Sequence, residues 1–149
     1  MDTLDVRMLK LLQDNGRMTV SQLSQLLSLS RPSVAERLNR LQEQGVIEGF
    51  GARVPPAGVG RTMLLFIQIS QMRINHLEFE KQIQTQPYIL ECHRVTGTVS
   101  YMLKAAVSGM ESLQKLVDQL TPYGTVNTSI VLSSPVAYRP VLPEESDAE

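Results

Sequence analysis

The sequence is nearly without cysteine. Cys92 is its single thiol in 149 residues, which excludes an intramolecular disulfide and any cysteine-built metal cluster. It has no apolar run of about 18 residues, so no transmembrane helix is expected. Its opening, MDTLDVRMLK, starts with acids and lacks the charged-then-apolar pattern of a secretory signal, so a cytoplasmic protein is expected. There is no glycine-rich phosphate loop and no Ser/His/Asp arrangement. The leftover catalytic candidates fail on geometry. Cys92 and His93 are neighbours on a predicted strand and point to opposite faces, so they cannot pair. Glu78 and Glu80 open a predicted helix, where acids suit the macrodipole. Asp2, Asp5 and Asp14 suit helix ends and show no ligand clustering, and His76 is expected to be exposed. No catalytic residue, metal ligand or cofactor is assigned, and an enzyme is not expected.

Charge of one sign is scarce too. Fourteen bases against fifteen acids leave a net charge of −1, with 42% hydrophobic and 19% charged residues, the balance of a folded chain. The distribution is uneven. The first 53 residues hold seven Lys/Arg against six Asp/Glu, and four acids (Glu144, Glu145, Asp147, Glu149) lie in the last six positions. A local basic face matters more to a polyanion than the global sum.

What is present is a pair of short amphipathic helices in residues 19–41, TVSQLSQLLSLSRPSVAERLNRL. Thr19 opens the first with Gln22 three residues on, the spacing of a capping box, and Leu23, Leu26 and Leu27 share a face. Ser30 precedes the second as an N-cap with Pro32 in the first turn. Val34, Leu38 and Leu41 form its stripe at i, i+4, i+7. That leaves Arg31, Ser33, Glu36, Arg37 and Arg40 outside, a basic face bearing hydroxyls and guanidinium groups that can read guanine edges or pair with phosphates. The candidate DNA contacts are Thr19, Ser21, Ser30, Arg31, Ser33, Glu36, Arg37 and Arg40. The bland alternative is a solvated helical hairpin in an all-α domain.

A helix precedes this pair from Thr3 to about Asn15, with Leu4, Met8, Leu11 and Leu12 as its stripe and Gly16 behind it. After Gly45, residues 46–54 read as β, predicting a hairpin wing whose Arg53 is either a DNA-backbone contact or a solvated strand charge. Two prolines and two glycines at 55–60 mark a boundary. Beyond it the pattern predicts strands at 62–71, 89–95, 101–107 and 126–132, and helices at 76–86 and from a Ser108/Glu111 capping box to Leu120. The second of these helices has a stripe of Met110, Leu113, Leu116, Val117 and Leu120. The fold class is therefore α+β: an N-terminal winged helix-turn-helix followed by a ferredoxin-like βαββαβ domain. The domains are 1–54 for DNA binding, 55–61 as hinge, 62–138 for ligand sensing and oligomerisation, and 139–149 as a flexible acidic tail. Strand residues Met63, Leu65, Ile67, Leu103, Ile130 and Leu132 predict an apolar sheet face covered by a second subunit, and a two-fold dimer would present two recognition helices to successive half-sites.

Three segments resemble the Lrp/AsnC (leucine-responsive, feast/famine) family of transcription regulators. Leu4-Asp5 with Met8-Leu9 is similar to the family's LDxxDxxIL opening. Residues 29–47, LSRPSVAERLNRLQEQGVI, resemble LSxxxVxxRVxRLExxGxI. ECHRVTG at 91–97, followed by YMLK at 101–104, resembles ECxxVxGxxDYLLK. The resemblance covers about residues 2–138. It implies a regulator that binds double-stranded promoter DNA through the recognition helix, assembles as a homodimer and then a tetramer or octamer, and takes an amino-acid effector near the turn that starts at Gly97. The implied effector residues are Gly97, Thr98, Ser100 and Tyr101. The chain departs from the family there. Thr98 and Ser100 stand where Gly-Asp-x-Asp-Tyr carries carboxylates, and a neutral hydroxyl holds an ammonium group less strongly. An effector that is different, weakly bound or absent follows. The alternative function is a low-specificity architectural protein that bends or wraps DNA without an effector. A weaker one is a metabolite-binding subunit whose helix-turn-helix touches protein.

Overall fold

The computed structural model describes residues 1–144. They form two compact units: Met1–Arg53 together with the residues that follow Pro135, and Val54–Pro135.

The first unit is built on α1 (Thr3–Asp14), α2 (Val20–Leu27) and α3 (Arg31–Glu43). Their starts follow from the residues that precede them. Asp2 and Asp5 make a reciprocal capping box on α1, Thr19 and Gln22 make another on α2, and Ser30 caps α3 with Pro32 in its first turn. Met8, Leu9, Leu12, Leu23, Leu27, Val34 and Leu41 form the core. Leu9 replaces Leu4 and Leu11 as the inner α1 residue. Leu26, expected inside, is half exposed, because an eight-residue helix buries only the i, i+4 pair Leu23 and Leu27. Gly45 ends α3 in the left-handed region at φ +70°, and the Val46 N–H returns to the Leu41 carbonyl at 2.9 Å.

The expected wing hairpin does not form. Residues 46–54 carry no strand. The amides of Val46 and Ile47 both donate to Leu41 O, capping the helix, so they are not available to open a ladder. The segment after the second unit also differs from expectation. Residues 136–144 group with the first unit rather than standing apart as a tail. Residues 145–149, the acidic end expected to be flexible, lie outside the described residues.

The second unit runs β1 (Met63–Ser70), α4 (His76–Ile83), β2 (Ile89–Arg94), β3 (Val99–Val107), α5 (Met110–Leu120) and β4 (Thr125–Ile130). The strand order is β2-β3-β1-β4 and every pairing is antiparallel, the ferredoxin-like plan. Leu65, Ile67 and Ile69 of β1 and Tyr101, Leu103 and Ala105 of β3 are buried with Phe79 and Ile83 of α4 and Leu113, Leu116 and Leu120 of α5. This corrects the face assignment. Leu65, Ile67 and Leu103 lie in the helix-covered core. Strand alternation puts Leu64, Phe66 and Met102 on the other face, together with Gln68, Lys104, Glu91 and His93. The α5 capping box is also absent. Gly109 is the N-cap without a side-chain bond, and the Ser108 hydroxyl pairs with Ser112 at 2.9 Å. Met110 and Leu77 point to solvent.

Candidate nucleic-acid interface

The turn between α2 and α3 is set by Ser28, in the left-handed region at φ 54°. The Leu29 amide returns to Ser24 O at 3.0 Å, and the Ser24 hydroxyl donates to Leu29 O. Three residues therefore suffice to redirect the chain into α3. Thr19 accepts the Gln22 amide at 3.2 Å and is exposed, while Ser21 is half-buried. Ser30 accepts the Ser33 amide at 3.3 Å and donates its hydroxyl to Ser33 Oγ at 2.9 Å. Arg31 and Glu36 are exposed and Ser33 is half-buried.

Arg37 and Arg40 depart from the expected outward face. Arg37 Nη1 pairs with Asp2 at 2.6 Å and with Asp5 at 2.7 Å. Arg40 Nη2 reaches Asp5 at 3.1 and 3.2 Å. Arg37 stands three residues after Val34 and four before Leu41, so it flanks the buried stripe rather than opposing it. Asp5 is 2% exposed, the buried charged residue of this core. Burial works to raise its pKa, but the Asp2 amide and the Arg37 guanidinium outweigh it and hold the carboxyl below the ordinary range. The Asp5 amide and Arg37 lower Asp2 likewise, and the two carboxylates raise Arg37. The surface of α3 left to a ligand is Arg31, Ser33, Glu36 and the partly exposed Arg40. It is less basic than the sequence implies. Sequence reasoning assigned Asp2 and Asp5 only to helix capping. The signal it passed over is a spacing: acids at 2 and 5 match bases at 37 and 40, three apart in both helices.

In the second unit, the β2–β3 turn places Gly97 at φ +106°, with Thr98 exposed and Ser100 half-buried. Tyr101 is not beside them on the surface. It is 1% exposed, its hydroxyl donates to Glu80 Oε1 at 2.6 Å, and Phe79 packs on its ring at 4.4 Å. With that proton committed, the phenol oxygen accepts from His76 Nδ1 at 3.0 Å, so His76 is a buried-network member rather than a free surface residue. Burial, then Glu80, pushes the Tyr101 pKa up to about 12. Burial, with Glu80 nearby, likewise raises the Cys92 thiol, as expected of a packed strand residue. His93 is exposed and meets Glu91 at 3.2 Å on the opposite face. The described residues contain no cluster of three or more metal-ligating side chains and no helix long and apolar enough to cross a membrane.

A capped helix-turn-helix unit joined to an antiparallel βαββαβ unit defines a two-part DNA-binding regulator. Residues 62–141 match the Lrp/AsnC ligand binding domain, and residues 1–48 match a winged helix-turn-helix DNA-binding domain. The chain belongs to the Lrp/AsnC family of transcription regulators, which is not a family of enzymes. It is 34% identical to the uncharacterized HTH-type transcriptional regulator YezC of Bacillus subtilis over 134 residues, 90% of this chain and 95% of that one. It is 35% identical to the leucine-responsive regulatory protein of Haemophilus influenzae, covering 78% of this chain and 72% of that one. Among solved structures, a Neisseria meningitidis transcriptional regulator in an L-Met complex superposes with a TM-score of 0.88 at 26% identity, over 95% of this chain and 96% of that one.

Proposed function

We propose that this regulator reads promoter DNA as a homodimer, with α3 in the major groove and an assembly that grows to a tetramer or octamer. Thr19, Ser21, Ser30, Arg31, Ser33, Glu36 and Arg40 contact the duplex. Arg37 supports the helix from its α1-side flank. The observation that carries this reading is the exposed α3 face, which combines hydroxyls at its N-terminal turn with Arg31 and part of Arg40, between caps that fix its angle. Dimerisation is supported by the sheet face opposite α4 and α5, where Phe66 is 45% exposed beside Leu64 and Met102. Promoter DNA as its partner supports a cytoplasmic location.

An amino acid is the proposed effector, held at Gly97, Thr98 and Ser100, with Tyr101 supporting the turn from beneath. The L-Met complex of the Neisseria relative supports that ligand class. With hydroxyls at 98 and 100 the site favours weak binding. The architectural alternative keeps one specific observation in its favour: two of the α3 arginines are engaged by carboxylates, which removes base-reading capacity. Fluorescence anisotropy with a fragment upstream of the protein's own gene and a scrambled fragment, at two salt concentrations and with or without the twenty amino acids, separates them. Preference for the native fragment, altered by the mixture, supports a metabolite-responsive regulator. Equal binding, indifferent to the mixture, supports the architectural protein.

A further inference from the structure

The residues that follow the last strand return to the DNA-binding unit and are held there in two ways. Gln13 on α1 turns its carboxamide against the backbone of Val141. Its Nε2 donates to Val141 O at 2.8 Å, and its Oε1 accepts the Val141 N–H at 2.9 Å. This is the two-bond pattern by which one strand holds another, supplied by a side chain. Second, the Arg53 guanidinium lies over the Tyr138 ring with its carbon 3.3 Å from the centroid. Between these contacts, Val141 and Leu142 form one wall of an open groove of about 770 Å³ whose other walls include Leu9, Leu12, Ile47 and Phe50.

We propose that residues 136–144 are a working strap of the DNA-binding unit, in which Tyr138 positions Arg53 as a phosphate contact. Val46 and Ile47 are tied to Leu41, but residues 48–54 have no ladder of their own, and the strap meets them at Arg53. Stacking occupies only the face of a guanidinium. Its N–H donors lie in the plane and remain available to a phosphate. A phosphate would then meet an arginine already ordered, and binding avoids the loss of side-chain freedom that a loose Arg53 would suffer. Tyr138 is thus a positioning residue that acts through Arg53, and Gln13 acts through the strap. The inference rests on the DNA-binding reading only for the target of Arg53. The strap itself is tested without DNA.

The test is a double-mutant cycle in the full chain, with Arg53→Ala, Tyr138→Ala and the pair, read by anisotropy on the promoter fragment across a salt series. Arg53→Ala should flatten the log-affinity versus log-salt slope by about 0.9. Tyr138→Ala should weaken binding roughly two- to five-fold, the range of an exposed cation–π contact. The pair should be no worse than Arg53→Ala alone, and Tyr138→Phe should restore wild-type affinity. A Tyr138→Ala effect that persists in full without Arg53, or an effect of zero, overturns the positioning role. In the second arm, amide exchange of the free protein should quicken at Val141, whose N–H is held by Gln13, in Gln13→Ala and Tyr138→Ala. Exchange unchanged there overturns the strap, whatever the DNA does. Failure of every variant and the wild type to bind duplex, with exchange altered as expected, would instead fault the DNA-binding reading.

Discussion

Asp5 is a carboxylate in an apolar core, and its neighbours determine what it contributes. Removing it leaves Arg40 without its carboxylate and Arg37 with Asp2 alone, and ends the capping box, so Asp5→Ala should cost about 2 kcal/mol, read as a lowered urea midpoint. Asp2 and Asp5 both titrate below their ordinary 3.8 when folded. A depressed carboxyl stabilises the fold above the unfolded value, and that contribution is lost as pH falls through the folded values. That contribution should therefore be complete above about pH 4 and decline below it, and an acid titration of Asp5→Asn should show a shallower fall. The same pairing predicts that Arg37→Ala leaves the salt slope of DNA binding unchanged, whereas Arg31→Ala flattens it by about 0.9. Equal flattening by both would show Arg37 on a phosphate. The identities of these residues were legible in the sequence, but their partners were not. An acid at a helix start satisfies a cap on its own, and nothing local shows that two arginines more than thirty positions away converge on it.

At the scale of elements, helices were read well where one face is apolar and the ends carry caps. Thr19 with Gln22, Ser30 with Pro32 and Gly45 all sit where their chemistry requires. Gly45→Ala, forcing a Cβ into φ +70°, should cost about 1 kcal/mol of thermal stability. Gly124 is constrained differently. An added Cβ would stand 2.6 Å from Ser70 O, so Gly124→Ala must push β1 from β4 and should cost about 1–3 kcal/mol. The strands existed where alternation and β-branched residues put them, but their faces were misread. The run Met63-Leu64-Leu65-Phe66-Ile67 is apolar at every position, so it does not say which parity meets α4 and α5. The hairpin over residues 46–54 failed for a related reason. β propensity is a preference for a partner, and here the first two amides already serve α3.

At the scale of the molecule, contacts divide the described chain into two units, with a boundary at Arg53/Val54. The attachment of residues 136–144 was not legible, because three prolines and an acidic end look like an unattached tail, while Val141, Leu142 and Tyr138 are too few to register as a pattern. Charging the uncovered sheet face tests assembly. Phe66→Glu places a carboxylate on that face opposite Lys104, so fold and circular dichroism should persist while sedimentation shifts toward monomer. An unchanged oligomer would put the dimer contact elsewhere. Thr98→Asp, restoring charge to the turn after Gly97, should strengthen any amino-acid response of DNA binding in the same anisotropy assay.

The order in which the pieces are made has its own consequence. The DNA-binding unit consists of residues 1–53 and the strap that follows Pro135, with all of Val54–Pro135 between them. On the ribosome the three helices emerge early, but the groove on α1 waits for the 88 residues from Val54 to Val141, about 4–18 seconds at ordinary elongation rates. Gln13, Leu9 and Leu12 stay uncovered through that interval, and the β unit has its whole sequence available first. The part that meets DNA is thus the last to be completed, and a nascent chain that stalls before Val141 would carry a reading head without its strap.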